Sequence, residues 1–248
     1  MAGTIFKVIT LWAAAISPVI LTAMAAAPSA AHAAGTAAAG AAATGAAAPK
    51  SWEVMFNGKI TDAFRGWNSE SMPEGWRVVD GALTKDGNVD ELVTRKQYAN
   101  FDLRLDWKIG KEGNSGIFYR STREYDHIYW SGPEYQLLDD ANAPDGKSPL
   151  TAAGSDYGLY PAMAGVVKPY GEWNHSRLVV RGNHVEHWLN GKKVVSYELN
   201  SAEWKAKVAA SKFSKYPNYG LAAAGYIGIQ GDHPGSIALR DIRIRELP

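Results

Sequence analysis

The stretch RLVVRGNHVEHWLNGKKVVSYEL, residues 177–199, decides the fold class of this chain. Apolar and polar side chains alternate through it, which is typical of β-strands with one buried face. Gly182-Asn183 and Asn190-Gly191 divide it into three runs, and the two central residues of a tight hairpin turn need the positive φ that Asn and Gly adopt readily. The stretch therefore predicts three successive antiparallel strands.

The chain from Ser51 onward repeats this pattern of short alternating runs separated by turns. Another Asn-Gly pair, Asn57-Gly58, predicts a further hairpin, and helix is predicted only at SAEWKAKVAASKF, where Ser201 can cap the first turn. The loop from residue 139 to 173 is long enough to be functional. We therefore expect an all-β domain of two antiparallel sheets packed as a sandwich or jelly roll, with one short helix.

The N-terminal residues predict an exported protein. Residues 1–33 combine Lys7, a long apolar run and the small-x-small sequence SAAHA before a cleavage site after Ala33, as secretory signal peptides do. An uncleaved membrane anchor is the alternative, because the apolar run is nearly long enough to cross a bilayer. Residues 34–50 then form an Ala/Gly-rich flexible linker, and residues 51–248 form the β-sandwich domain. We expect a periplasmic or secreted protein, without membrane attachment once the leader is cleaved.

Charge and cysteine content exclude several classes of function. Loss of Lys7 with the leader leaves 25 of the 26 basic residues against 25 acidic ones, a formal charge of zero. Nucleic acid is therefore not an expected partner. The chain has no cysteine, which excludes disulfides, thiolate metal sites and cysteine nucleophiles.

Two predicted strands, IFYRS at 117–121 and EYQLL at 134–138, place polar side chains on one face. Period-2 alternation directs one set of residues to the core: Ile117, Tyr119, Tyr135, Leu137, Ile227 and Ile229. It directs the opposite set outward: Arg120, Glu134, Gln136, Tyr226 and Gln230. A plain solvated face is the alternative, but glycines beside these long polar groups leave room for a ligand. Nearby aromatic residues such as Trp173 suit sugar rings, so we expect a small carbohydrate.

The histidines do not form a zinc motif. His184 and His187 lie three residues apart on a predicted strand, hence on opposite faces, unlike the helical HExxH pair. His187, which shares a face with Val185 and Leu189, is expected to be a half-buried histidine with its hydrogen bonds satisfied. His175 and His233 lie at strand ends, where ligand contacts gather.

Six ordered motifs carry a resemblance to a known family: FNGK…GW, NSGIFYR, GPEYQLLDD, GEWN, HWLNGKKV and GYIGIQGDHPGSIALRDIRIREL. Over residues 51–248 the chain resembles the 3-keto-disaccharide hydrolase family. The resemblance implies a sandwich of the concanavalin A-like lectin/glucanase type and activity on 3-keto-sugars. Asp232, between the family's Gln and His, departs from its pattern, as does the longer spacing from Gly58 to Trp67.

The implied substrate suggests a reaction and roles for the candidate residues. A ketone at C3 acidifies the C2 hydrogen, so one base can start an elimination that expels the C1 substituent before water adds. Our hypothesis makes Glu134 the acid/base, kept ionised by Arg120, which also stabilises the oxyanion. His175 or His233 is the second proton carrier, or else a ligand of a divalent cation. The candidate substrate-binding residues are Gln136, Gln230, Asn114, Asp139, Trp173 and Tyr226.

Two alternatives from other functional classes remain open at this point. A non-catalytic lectin-like domain would use the same sandwich to bind ordinary glycans without cleaving them. An ordinary glycoside hydrolase would need a second carboxylate, from the 139–173 loop, within reach of Glu134. The sequence predicts neither the sugar, nor the linkage, nor the oligomeric state.

Overall fold

Along the chain, successive strands pass back and forth between two β-sheets. The computed structural model describes residues 48–59 and 62–248. The predicted signal peptide, and the predicted linker as far as residue 47, lie outside these residues. The elements are, in chain order, β1 (Glu53–Phe56), β2 (Phe64–Gly66), β3 (Arg77–Val79), β4 (Ala82–Asp86), β5 (Leu92–Thr94), β6 (Phe101–Ile109), β7 (Asn114–Ser121), β8 (Glu134–Leu138), β9 (Asn174–Arg181), β10 (His184–Leu189), β11 (Lys192–Glu198), α1 (Ala202–Ala209), β12 (Tyr226–Ile229) and β13 (Ser236–Glu246).

The described strands form two antiparallel sheets, which confirms the predicted fold class. The large sheet has the order β11-β10-β9-β6-β13-β4-β3, with β1 also paired to β13. The small sheet has the order β2-β5-β12-β7-β8. Sheets of this kind bury one face each, and the inner faces pack on one another to form the core.

The core between the sheets follows the alternation read from the sequence. On β6 the inward residues Leu103, Leu105 and Trp107 are buried, and Ile117 and Tyr135 of the small sheet belong to the same apolar cluster. A second, smaller cluster lies on the outer face of the small sheet and consists of Trp67, Val93, Phe118 and Ile128. The outer face of the small sheet is therefore partly covered.

The predicted three-strand unit is confirmed. β9 pairs with β10 and β10 with β11, both antiparallel. Asn190 and Gly191 have φ of +47° and +82°, as the tight turn requires. His184 and His187 lie on opposite faces of β10, and His187 is fully buried in the core, where its Nδ1 donates to the carbonyl of Gly154 at 2.9 Å.

The hairpin predicted at Asn57-Gly58 is wrong. β1 pairs with β13 in the large sheet, whereas β2 pairs with β5 in the small sheet. Gly58 does take a positive φ of +99°, but the strands before and after it lie in different sheets. The local signal predicted the conformation of Gly58 correctly and the strand partner incorrectly.

The predicted helix is confirmed as α1. Ser201 caps it by accepting a hydrogen bond from the backbone N–H of Trp204 at 3.1 Å. Trp204 is buried and packs parallel to Tyr219, with ring centroids 6.0 Å apart. α1 leads into a 3₁₀ turn at Lys212–Lys215, which reaches the site described next. No helix within the described residues has the length and apolarity needed to cross a bilayer.

Candidate active site

A cavity lies over the outer face of the small sheet, with β7 and β8 as its floor. Its volume is about 220 Å³, below the ~300–1,000 Å³ of pockets for drug-sized ligands and suited to a smaller one. Polar and aromatic side chains from several distant segments line it: Asn114, Tyr129, Glu134, Gln136, Asp145, Tyr157, Lys212, Phe213, Gln230, Asp232 and His233.

The register of β7 and β8 places Glu134 at the floor of this cavity. Glu134 is opposite Phe118, and Gln136 is opposite Gly116. Gly116 leaves space for the carboxyl group, because a Cβ at this position would lie 2.7 Å from Glu134 Cγ and 2.8 Å from Cδ. The glycine therefore permits the position that Glu134 takes.

Burial controls the protonation of Glu134. Its side chain is nearly enclosed, and desolvation is the largest cause that raises its pKa from 4.5 to about 8. The Lys212 ammonium acts in the opposite direction, whereas the carboxylates of Asp232 and Asp145 raise the pKa further. The expectation that Arg120 keeps Glu134 ionised at neutral pH is wrong, because Arg120 is not among the charges that act on it.

A hydrogen-bonded chain of polar groups runs along one wall of the cavity. The amide of Gln136 lies 3.3 Å from the Asn114 amide oxygen, and Asn114 Nδ2 donates to Asp145 Oδ2 at 3.4 Å. The Tyr157 hydroxyl donates to the same Asp145 oxygen at 3.2 Å. With the Gln136 amide oriented to satisfy its neighbours, its nitrogen donates to Glu134 Oε1 at 3.2 Å and to the Ser115 carbonyl at 3.0 Å. Gln136 therefore connects Glu134 to this wall.

The 231–235 loop closes the opposite side with Asp232 and His233. The side-chain amide oxygen of the buried Gln230 and one oxygen of the Asp232 carboxylate have no partner within the described part of the chain. Unpaired buried acceptors are costly unless something else donates to them. A donor that enters this side of the cavity would lower that cost.

Behind this loop lie two buried ionisable groups, Lys85 and Glu91. The Lys85 Nζ donates to the carbonyls of Gly87, at 3.0 Å, and of His233. Burial lowers the pKa of Lys85, against the attraction of Asp232. Burial, and then the Asp232 carboxylate, raise the pKa of Glu91 to about 8. Lys85 thus holds the backbone of the segment that presents His233 to the cavity.

Lys85→Met is expected to loosen this loop. The substitution keeps the stem but leaves two buried carbonyls without a donor, which costs about 1–3 kcal/mol of unfolding free energy. Amide hydrogen exchange of the 231–236 segment should accelerate, as measured by mass spectrometry. Lys192→Met, at an exposed lysine of the β10–β11 hairpin, is the control and should change neither quantity. Unchanged loop exchange in Lys85→Met would contradict the anchoring role.

The structure brings together Glu134, Gln136, Asn114, Gln230 and His233 of the predicted site residues. It leaves the other predicted residues outside the cavity lining: Arg120, His175, Trp173, Asp139 and Tyr226. These five placements correct the predicted site.

Arg120 points away from Glu134 because the strand is bulged. Tyr226 pairs with Ser121 and Gly228 with Phe118, so Tyr119 and Arg120 together oppose the single residue Ile227. Arg120 takes a φ of +54°, and its guanidinium donates to the carbonyls of Ala99 and Gly182. Period-2 alternation fails at this point.

The other four residues are absent from the cavity for different reasons. His175 belongs to β9 of the large sheet, where its Nδ1 bonds Asp106 at 2.8 Å. Trp173 directly precedes β9 and stacks with the Arg240 guanidinium, 4.0 Å from the ring centroid. Asp139 is turned into the β8 end, where it accepts from the Glu112 N–H at 2.9 Å. Tyr226 is on the outer face of the small sheet but packs edge-on against Trp67.

The candidate site residues predicted from the sequence do not include six lining residues, of which Asp232 is noted only as a departure from the family's pattern and Tyr129 only as a nearby aromatic residue: Tyr129, Asp145, Tyr157, Lys212, Phe213 and Asp232. Asp145 and Tyr157 belong to the 139–173 loop, whose length was the only local signal of a functional role. Lys212 lies in the segment predicted as helix, which ends at Ala209 in the structure, and its Nζ lies 4.3 Å from the Tyr157 ring centroid. It is the cavity cation that acts on Glu134.

The described side chains do not form a recognisable metal site. Within residues 48–59 and 62–248, no group of three His, Cys, Asp or Glu side chains is arranged to hold a metal ion. The divalent cation considered from the sequence stays a prediction, to be tested by assay in chelator.

Comparisons with known proteins identify the family to which this chain belongs. Residues 51–245 match the family described as the 3-keto-alpha-glucoside-1,2-lyase-like domain. A Bacteroides thetaiotaomicron protein named 3-keto-disaccharide hydrolase is 34% identical, over 78% of this chain and 78% of that protein. A Parabacteroides distasonis crystal structure, described as a candidate glycosyl hydrolase, is 34% identical with a TM-score of 0.74, covering 79% of this chain and 94% of that one. A Bacillus subtilis protein with a galectin-like fold, at 12% identity and a TM-score of 0.52, covers 82% and 97% and supports the fold alone.

Proposed function

We propose, because the chain belongs to the 3-keto-alpha-glucoside-1,2-lyase-like family, that it cleaves the glycosidic bond of 3-keto-glycosides. One observation carries the proposal beyond family membership. Glu134 lies at the floor of a small polar cavity, and burial raises its pKa to about 8. A carboxyl group with a pKa near the working pH can both accept and donate a proton.

The proposed reaction is an elimination followed by hydration. The base takes the C2 proton, the C2–H electrons form an enolate with the C3 ketone, and the enolate collapses to expel the C1 oxygen, which takes a proton. Water then adds to C1 of the enone while C2 regains a proton. The sum is hydrolysis, with no oxidant or reductant needed.

Each step has a candidate residue in the cavity. Glu134 takes the C2 proton and returns it during hydration. Lys212 replaces Arg120 as the cation that stabilises the enolate oxygen, since its charge reaches Glu134 and it lines the same cavity. His233 or Asp232, on the opposite wall, protonates the leaving oxygen. Gln136 and Gln230 orient the ring by hydrogen bonds. We also propose export to the periplasm or medium, as the leader sequence predicts.

A panel of matched glycosides tests the function. The purified protein is given methyl and nitrophenyl glucosides with and without a ketone at C3, and release of the C1 substituent is followed. We expect turnover of the keto compounds, with the ordinary glucosides at least about 100-fold slower, since only a C3 ketone acidifies the C2 hydrogen. Equal rates for both sets would contradict the elimination.

An ordinary glycoside hydrolase is the second candidate, and one observation favours it. Asp145 from the 139–173 loop and Asp232 line the same cavity as Glu134, so a second carboxylate is available. This candidate predicts cleavage of the non-keto glucosides. Exchange of the C2 hydrogen with deuterated solvent separates the two reactions, because only the elimination breaks the C2–H bond.

A further inference from the structure

A row of cations crosses the outer face of the large sheet, whereas the cavity lies on the small sheet. The pairing registers align Arg243 of β13 with Arg104 of β6, Arg104 with Arg177 of β9, Arg177 with Trp188 of β10, and Trp188 with Lys193 of β11. These five residues are called the cationic row below. With strands ~4.8 Å apart, the row is roughly 19 Å long.

The cationic row breaks a rule of sheet stability. Like charges directly opposite one another on neighbouring strands are destabilising, yet Arg243, Arg104 and Arg177 are consecutive neighbours. Sequences that violate a local rule do so most often at functional sites. The stability of the fold therefore does not explain the cationic row.

Internal partners offset only part of this charge. Asp102, fully buried, accepts from Arg177 at 2.9 Å and Arg245 at 2.9 Å, and also pairs with Arg104 at 3.3 Å. Glu186 pairs with Lys193 at 2.9 Å. Counting Arg245 with the four cations of the row gives five positive charges, and subtracting these two carboxylates leaves three.

The charged groups remain open to solvent. The Arg104 and Arg177 side chains are each 29% exposed and Lys193 is 43% exposed. Aromatic rings hold two of these guanidinium groups in place. The Arg104 guanidinium lies 4.8 Å from the Trp52 ring centroid, and the Arg177 guanidinium lies 5.5 Å from the Trp188 ring centroid. Guanidinium groups fixed by stacking are preorganised to bind carboxylates.

We propose that the cationic row binds a carboxylated polysaccharide, at a site separate from the cavity. A stiff polymer with carboxylates at regular intervals matches a straight row of cations across five strands. The ring of Trp188, within the row, lies against Arg177 and Lys193, and the part of this half-buried indole that stays exposed can contact the apolar side of a sugar ring, which a plain charge patch cannot. This site would hold the protein on an acidic glycan while the opposite sheet acts on small sugars.

Binding is measured on the full chain by fluorescence anisotropy of a labelled oligogalacturonate. We expect binding at 50 mM NaCl that weakens about tenfold or more at 200 mM, because the contact is made by charges. A neutral maltooligosaccharide of equal length should not bind. An anionic single-stranded DNA of equal charge should bind at least about tenfold more weakly than the oligogalacturonate.

The matched variants are chosen to spare the buried carboxylate. Arg243→Gln with Lys193→Gln removes the two ends of the row, neither of which bonds Asp102 in the described structure, and should weaken oligogalacturonate binding about tenfold. Lys111→Gln with Lys205→Gln removes two exposed lysines elsewhere and should not. Hydrolysis of a small 3-keto-glucoside should be the same in both pairs. Equal binding by the two pairs, or DNA binding as tight as that of the glycan, would overturn the proposal whatever the activity of the cavity.

Discussion

Glu134→Gln is expected to lower kcat on a 3-keto-glycoside by about 10²–10⁴-fold, the contribution typical of a positioned acid/base. The amide keeps the size and hydrogen-bonding reach of the carboxyl group but can neither accept the C2 proton nor return it. KM should change much less, because the other walls of the cavity are untouched. Initial rates over a range of substrate concentrations separate the two parameters.

The same substitution should stabilise the fold at alkaline pH. A carboxyl whose pKa is raised from 4.5 to about 8 in the folded state does not penalise folding below pH 4.5, where it is protonated in both states. The penalty grows as pH rises from 4.5 to 8. Glu134→Gln removes it, so the variant should exceed the wild type by roughly 3–5 kcal/mol of unfolding free energy at pH 8. Glu91, whose charge is not among those that act on Glu134, stays in both proteins and cancels in the difference.

Glu203→Gln is the matched control for both measurements. Glu203 is exposed on α1, away from the cavity, and should affect neither kcat nor the pH dependence of stability. Wild-type turnover in Glu134→Gln would remove Glu134 from the mechanism. A lower kcat together with lower stability at pH 8 would instead indicate that the carboxylate supports the fold, against the direction expected from burial.

The sequence predicted local periodicity well. Ile117, Tyr119, Tyr135 and Leu137 are all buried between the sheets, as alternation requires. The same rule failed for Arg120, because the bulge depends on the register of β7 against β12, a strand more than 100 residues later. The sequence of β7 alone therefore does not reveal how β7 pairs with β12.

Only part of the cavity lining could be predicted from the sequence, for a similar reason. Glu134, Gln136 and Asn114 follow from the faces of two neighbouring strands, whereas Asp145, Tyr157 and Lys212 come from irregular segments without a period. His175 lies at a strand end, as predicted, but its strand β9 pairs with β6 and so belongs to the large sheet, not to the sheet that carries the cavity. Distance along the chain and strand periodicity cannot supply that information.

Gly116→Ala is expected to abolish most of the activity without touching a chemically active group. The added methyl would lie 2.7 Å from Glu134 Cγ and closer still to Oε1, so the carboxyl group must move off the cavity floor. A misplacement of about 1 Å at a reacting group costs about 10²-fold in rate. The overpacking should also lower the unfolding free energy by about 1–3 kcal/mol.

Coupling between the two positions distinguishes this cause from a general weakening of β7. In a Glu134→Ala background the Cγ and carboxyl atoms are gone, so Gly116→Ala should cost almost no stability there. Unfolding free energies of the two single variants, the double variant and the wild type, measured in urea, give the interaction term. An equal cost of Gly116→Ala in both backgrounds would contradict the contact. If the two positions are coupled and Gly116→Ala also lowers kcat, the catalytic position of Glu134 depends on the absence of a side chain at residue 116.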